Sequence, residues 1–396
     1  MNYKSIRLLI ENAEAEIKTG PFGTQLKASE YTDVGIPVLN VKNLGYSRVV
    51  SEKLDHVNQT TLDRLSMHVL QSGDIVFGRK GAVDRHAFIS VKENGWMQGS
   101  DCIRLRLLTD SYNPRFLSYY FMTNKHRSFM EMMCSHGTTM ASLNQRIIEL
   151  IEIPDLERKI QDKIVSILER VDSLIDNNAR VNQNLQQQAF ALFDRLLSES
   201  VNGMRQLNEI AELNPKHQLS KGTVARCIDM AQLSTSGTFP SGWEMKPYNG
   251  GMKFSNGNTI IARITPCLEN GKTAFIDFLD ESEVAFGSTE YIVLAAKDPY
   301  PAVFFYCLAR YPAFVDYAVK NMNGSSGRQR VSADIRGKST LPSIGEAEIA
   351  LFKEAVTPMF RAIRNNSLEN MHLAALRDTL LPRLMTGELD VSELDI

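Results

Sequence analysis

The sequence predicts an α+β chain: two pseudo-repeated α/β domains plus two long helices forming an antiparallel intramolecular coiled coil. Three observations carry this prediction. A set of landmarks recurs at one long spacing. Two glycine-free stretches of about forty residues carry apolar side chains three and four apart, as helix seams do. Each of those stretches is interrupted near its middle by a pair of asparagines.

The duplication comes first. GDIVFGRKG from Gly73 answers to GNTIIARIT from Gly257, and GSDCIRLRL from Gly99 to GSTEYIVLA from Gly287. A helix start at Asn113-Pro114 answers to one at Pro299 to Pro301, and Ile153-Pro154 to Leu341-Pro342. The offsets are 184, 188, about 187 and 188, far too long for a solenoid. Within each half, Ile103, Leu105 and Leu107 alternate with Arg104 and Arg106, the period of a half-buried strand. Asn113 before Pro114, and Asp298 before Pro299, are N-cap and first-turn signals. The resulting division is a first domain over 1–152, a central helix over 153–200 and a second domain over 201–342. A distal helix over 343–388 and a tail over 389–396 complete the chain. Each domain has an ordinary size for one core.

The seam of the first helical stretch runs through Ile164, Leu168, Val171, Ile175, Leu185, Ala189, Leu192 and Leu196. That of the second runs through Phe352, Val356, Met359, Ile363, Leu373, Leu380 and Leu384. In an antiparallel pair, facing positions have a constant sum. A sum of 548 faces Asn178 with Asn370 and Asn182 with Asn366, and apolar residues with apolar ones almost everywhere else. Only Val171 meets a charge, Arg377. A heptad slip would set the amides against apolar side chains, leaving them unpaired at roughly 1–3 kcal/mol each. The asparagines therefore specify register. At about 1.5 Å per residue such helices make a rod of roughly 60 Å, a ruler with a domain expected at either end.

Composition sets the outer limits. The chain has 396 residues, 43% hydrophobic and 23% charged, the balance of a soluble globular protein. No apolar run approaches the length of a membrane helix, and MNYKSIRLLIENAEAEIK lacks a signal-peptide core, so a cytoplasmic protein is expected. Five scattered cysteines without metal-ligand spacing are read as reduced structural thiols. The net charge of −2 argues at first against nucleic acid, but its distribution does not. Basic residues cluster at Arg79, Lys80 and Arg85, and at Lys320, Arg328, Arg330, Arg336 and Lys338, as a phosphate footprint would.

Several strings resemble one family over essentially the whole chain. They are KTGPFGTQLKASEY (18–31), GIPVLNVKNL (35–44), GDIVFGRKGAV (73–83), NGNTIIARITPCLENGKTAF (256–275) and GSTEYIVL (287–294). The helix ends LFDRLL (192–197) and LLPRLMTGELDV (380–391) complete the set. By these the chain resembles the specificity subunits of Type I restriction–modification systems. The resemblance implies a protein without catalysis of its own. Two target-recognition domains each read half of a bipartite asymmetric double-stranded DNA site, and the paired helices fix the gap. Two adenine-N6 methyltransferase subunits, which hold S-adenosylmethionine, dock on it. Restriction subunits using ATP and magnesium cut the DNA, so no cofactor, metal or catalytic residue is expected in this chain.

The residues agree with that expectation. The strings nearest to the Asn/Asp-Pro-Pro-aromatic segment of an amino methyltransferase, NPRF at 113 and NPKH at 214, carry one proline each. GRKG at 78–81 lacks phosphate-loop spacing. PDLERK at 154–159 has the letters of a nuclease site, but Asp155 as an N-cap with Glu157 in the first turn is the simpler reading. For DNA contact, the family motifs point to Thr24, Gln25, Lys27, Lys42, Asn43, Arg79, Lys80 and Arg85; Thr138, Thr139 and Asn144 join them because 137–145 corresponds in position to the donor-rich segment 325–338. In the second half the parallel candidates are Arg263, Thr265, Lys272 and Ser288, and the donor-rich segment 325–338 adds Arg328, Gln329 and Arg330. Arginine and lysine suit guanine edges, and asparagine or glutamine adenine. The rival readings are a coiled-coil scaffold that binds no DNA and a specificity subunit of a methylation-only system.

Overall fold

The computed structural model describes residues 2–134, 142–200, 203–325 and 327–394. It divides into two compact units, residues 1–172 with 374–396 (unit 1) and residues 173–373 (unit 2). Each unit combines one globular part with a portion of both long helices, so packing joins what periodicity separates.

Unit 1 is built on an antiparallel sheet in the order Ala15–Thr19, Cys102–Leu107, Ile75–Gly78, His86–Phe88. A second sheet runs Tyr31–Thr32, Asp55–Val57, Ile36–Leu39, Met97–Gln98, its last pair parallel. Tyr3–Ser5 pairs with Glu152–Pro154 and closes the domain beside the helices. Unit 2 repeats the plan. Its first sheet is Ala211–Leu213, Tyr291–Ala296, Thr259–Ala262, Thr273–Phe275. Its second is Glu244–Pro247, Val224–Ile228, Ala285–Gly287, Met252–Phe254, and Met204–Gln206 pairs with Thr340–Pro342. The two second sheets differ at their edges. Unit 1 adds Tyr31–Thr32, whereas the unit 2 strand Met252–Phe254 has only a single bridge, Val69 to Met97, as its counterpart.

The strand Cys102–Leu107 corrects the expectation of a half-buried strand. Cys102 to Leu105 are all buried, Arg104 included. Arg104 reaches Glu16 and the carbonyls of Met67 and Val69, while Arg106 makes a two-pronged pair with Asp74 at 2.6 and 2.7 Å. Alternation says which side chains share a face; it does not say that the second face will also be covered.

Two helix starts also differ from expectation. Asn113 caps Pro114–Tyr120, accepting from the amides of Arg115 and Phe116, as its position predicts. The corresponding helix, Ala302–Arg310, begins later, with Pro301 and not Asp298 at its N-cap. A turn from Tyr300 N–H to the Lys297 carbonyl is closed first. Likewise the central helix is Arg158–Ser198, and Asp155 is not its N-cap. Residues 152–154 are occupied as a strand, and the Asp155 carboxylate receives Tyr112 Oη at 3.1 Å and Lys4 Nζ at 3.0 Å.

The distal helix is Glu346–Met385. In unit 1 the two helices share one core: Ile164, Val165 and Leu168 with Leu381, Leu384 and Met385. Arg377 does not stop at Val171 but reaches the Asp172 carboxylate at 3.0 Å. In unit 2 the most deeply buried face of the central helix is Ala189, Phe193 and Leu197, one position beyond the expected Leu192 and Leu196. The reason is a second neighbour. Phe193 meets Phe352 on the distal helix and also Phe304 and Tyr311 of the domain.

The asparagines lie within unit 2, all half-buried. Asn178 Nδ2 donates to Asn370 Oδ1 at 3.0 Å and to Glu369 at 2.9 Å, and Asn370 Nδ2 donates to the Ile175 carbonyl. Asn366 Nδ2 donates to Asn182 Oδ1 at 2.8 Å, and Asn182 Nδ2 to Ser367 Oγ at 3.2 Å. Asn178→Leu alone is expected to destabilise unit 2 by about 1 kcal/mol, since it strands the Asn370 amide. Asn178→Leu with Asn370→Leu should recover most of that loss. Urea denaturation of the four members of this cycle measures the coupling; strict additivity would mean the pair does not act as a unit.

Candidate nucleic-acid interface

In unit 2, candidates far apart in sequence meet around one carboxylate. Glu290 accepts from Arg330 Nε at 2.8 and 3.0 Å and from Arg263 Nε at 3.1 Å. The two guanidiniums hold the Glu290 carboxyl below its usual range. The backbone assembles this group. Arg263 N–H donates to the Glu290 carbonyl at 3.0 Å, Val331 N–H to the Arg263 carbonyl at 3.0 Å, and Thr265 N–H to the Gln329 carbonyl at 3.0 Å. Arg330 and Asn323 exchange two backbone bonds, which close the 323–330 loop. Arg328 projects from that loop, exposed, with no carboxylate partner among the described residues.

Unit 1 uses the same scheme with other side chains. Arg79 N–H donates to the Asp101 carbonyl at 2.8 Å, and Leu143 N–H to the Arg79 carbonyl at 2.8 Å. Lys80 pairs with Ser142 through a bridge, as Ile264 does with Arg330. Its ammonium lies 3.7 Å from Asp101, which takes the place of Glu290. Asn144 accepts from Ile147 N–H and caps Gln145–Glu149; Ser332 caps Ala333–Gly337 in the same manner. An open cleft of about 420 Å³ is lined by Thr19, Phe22, Arg79, Asn144, Gln145 and Arg146.

The comparisons with known proteins fit this duplicated plan. Residues 15–187 match the family model described as the Type I restriction modification DNA specificity domain. The MjaIX specificity subunit of Methanocaldococcus jannaschii is 23% identical over 93% of this chain and 90% of its own length. The HindI specificity subunit of Haemophilus influenzae is 19% identical over 88% and 94%. Over most of its length the chain is similar to Type I restriction–modification specificity subunits. Its fold is also that of the S subunit of M. genitalium, with a TM-score of 0.59 at 15% identity over 97% of this chain and 96% of that one.

The remaining candidates sort by environment. Thr24, Gln25 and Lys27 are exposed on one loop, whose shape is held by Gln25 Oε1 accepting from Phe22 N–H. Arg85 is exposed and lies over the Tyr46 ring. Lys42 is paired with the Asp55 carboxylate at 2.8 Å, and Lys272 donates to the Met230 carbonyl at 2.7 Å, so both already have partners within their own domain. Ser288 Oγ accepts from Glu290 N–H at 3.1 Å and shapes the turn below the arginines. Asn43 is a correction. It is fully buried, and its amide group serves the carbonyls of Val50 and Glu52 and the Asn40 N–H, which leaves nothing for DNA. Thr138 and Thr139 lie outside the described residues. Sequence reasoning missed Glu290, Asp101 and the Thr19–Gln145 bond of 3.0 Å. The signal for the two acids was present: each lies two or three residues after the glycine of GSD and GSTE.

No helix among the described residues is long and apolar enough to cross a membrane. The five cysteines are free thiols, four of them buried.

Proposed function

We propose that this specificity subunit reads a bipartite, asymmetric double-stranded DNA site, one half with each unit, and has no catalytic step of its own. The paired helices fix the distance between half-sites and dock two adenine-N6 methyltransferase subunits, which carry the S-adenosylmethionine. Restriction subunits with ATP and magnesium join that core, in the cytoplasm. The observation that carries this reading is the matched scaffold. The same two backbone bonds hold Arg79 in unit 1 and Arg263 in unit 2, while the surrounding side chains differ. One scaffold with two sets of readers suits two unlike half-sites.

The side chains divide by expected role. Arg328, exposed and without a carboxylate partner among the described residues, suits a base edge. Arg328→Ala is expected to weaken binding by about 1–3 kcal/mol and to relax one position of the site. Lys27→Ala should weaken all sequences alike and lower the slope of log affinity against log salt by about one. Competition binding of the methyltransferase complex at several salt concentrations separates these effects; no change for either variant removes both from the interface.

The reading as a whole is tested by mapping N6-methyladenine in cells that express this chain with its methyltransferase partner. Methylation at a two-part motif, one adenine per half on opposite strands, is the expected result. A stable complex with no methylated motif would favour a scaffold. Restriction of unmodified DNA separates a complete system from a methylation-only one.

A further inference from the structure

Beyond DNA recognition, we propose that a cavity within unit 1 binds a phosphate ester with an aromatic or apolar body, of which a mononucleotide is the simplest form. The cavity measures about 340 Å³ and lies between the helix Asn124–Cys134, the strand Tyr3–Ser5 and the last turns of the distal helix. That volume is at the small end for ligand sites, roughly 300–1,000 Å³.

Two cations enter it without a carboxylate partner among the described residues. Lys125 Nζ stands 3.8 Å from the centre of the Tyr3 ring, and the Arg127 guanidinium carbon 4.6 Å from that of Tyr46. Arg127 Nε is buried and has no hydrogen-bond partner. Arg127 as a whole lines the cavity, and a guanidinium there can pair with an oxyanion through its terminal nitrogens. Arg377, by contrast, is already satisfied by Asp172 and Asp378. Leu381, Pro382 and Met385 form an apolar floor. A lining that combines Lys125 and Arg127 with these apolar side chains, and with the Asp378 carboxylate already paired to Arg377, suits an ester with both a charged and an apolar part.

The duplication supplies an internal control. Buried His126 and Met130 of the helix Asn124–Cys134 are matched by buried Phe314 and Ala318 of Pro312–Lys320. Lys125 and Arg127 therefore answer to Ala313 and Val315, and Tyr3, by strand register, to Met204. The shared fold stands without the cations, so they are not there to maintain it. The cavity also shares no residue with the cleft around Arg79 and Asn144.

Equilibrium dialysis of the full chain, in complex with its methyltransferase partner, against labelled AMP tests this. Saturable binding below about 1 mM is expected, competed by inorganic phosphate and far less by adenosine. Lys125→Ala, a change at an exposed position, should weaken AMP binding about tenfold and leave duplex affinity unchanged. Absence of saturable binding overturns the proposal, as does AMP binding that survives both Lys125→Ala and Arg127→Gln. Loss of duplex affinity in parallel would assign these cations to the DNA surface and overturn it too. A methylated motif found with no AMP binding would leave the DNA reading standing and this one not.

Discussion

Arg106→Ala is expected to destabilise unit 1 by about 3–5 kcal/mol, the scale of a buried ion pair that has lost one partner. The Asp74 side chain is 1% exposed, and that of Arg106 17%. Both Asp74 oxygens receive Arg106, and one also receives Gln71 N–H at 2.7 Å, so the carboxylate is held in a turn it helps to form. Removing the guanidinium leaves a buried charge with no cationic partner and only the Gln71 N–H to bond it among the described residues. Asp74→Asn combined with Arg106→Ala should recover much of the loss. Unit 2 already carries that solution: Asn258 occupies the place of Asp74 and Ala295, by strand register, that of Arg106. Urea unfolding of wild type, single and double variants decides the matter. A single variant as stable as the double would mean that the charge pair does not hold this turn.

Exchanging residues 1–152 for the corresponding segment of a relative with a different site is expected to replace one half of the methylated motif completely and leave the other untouched. The effect is all-or-none because the described contacts of Arg79, Lys80 and Asn144 lie within unit 1, and those of Arg263, Arg328 and Arg330 within unit 2. Methylation mapping of the hybrid reads both halves at once. A hybrid whose two halves both change would show that the units do not read independently. Since the exchange leaves the helix Arg158–Ser198 in place, the spacing between halves is expected to persist.

Much of this architecture was legible in the sequence because its signals are local or periodic. Helix extent follows from apolar residues three and four apart, and the observed Arg158–Ser198 and Glu346–Met385 depart from the expected spans only at their ends. The duplication was legible because equal backbone geometry demands similar strings: GDIVFGRKG and GNTIIARIT form equivalent central strands. The candidate interface was legible only as a set of residue types. Nothing in the chain order of Arg263, Glu290 and Arg330 says that one carboxylate sits between two guanidiniums. Nor does KNL at 42–44 reveal that its lysine is paired at the surface while its asparagine is inside.

The sequence by itself determined the duplicated plan, the two long helices and the positions at which asparagine interrupts their seams. Each of these depends on spacing along one segment. Only the tertiary structure decided that Arg104 is interior and Arg106 tied to a buried carboxylate, that Phe193 and not Leu192 is buried on the central helix in unit 2, and that Glu290 and Asp101 underlie the two arginine sites. Those outcomes depend on what a second, distant segment places opposite each side chain. Burial and pairing are properties of such meetings, and a periodicity describes only one of the two partners.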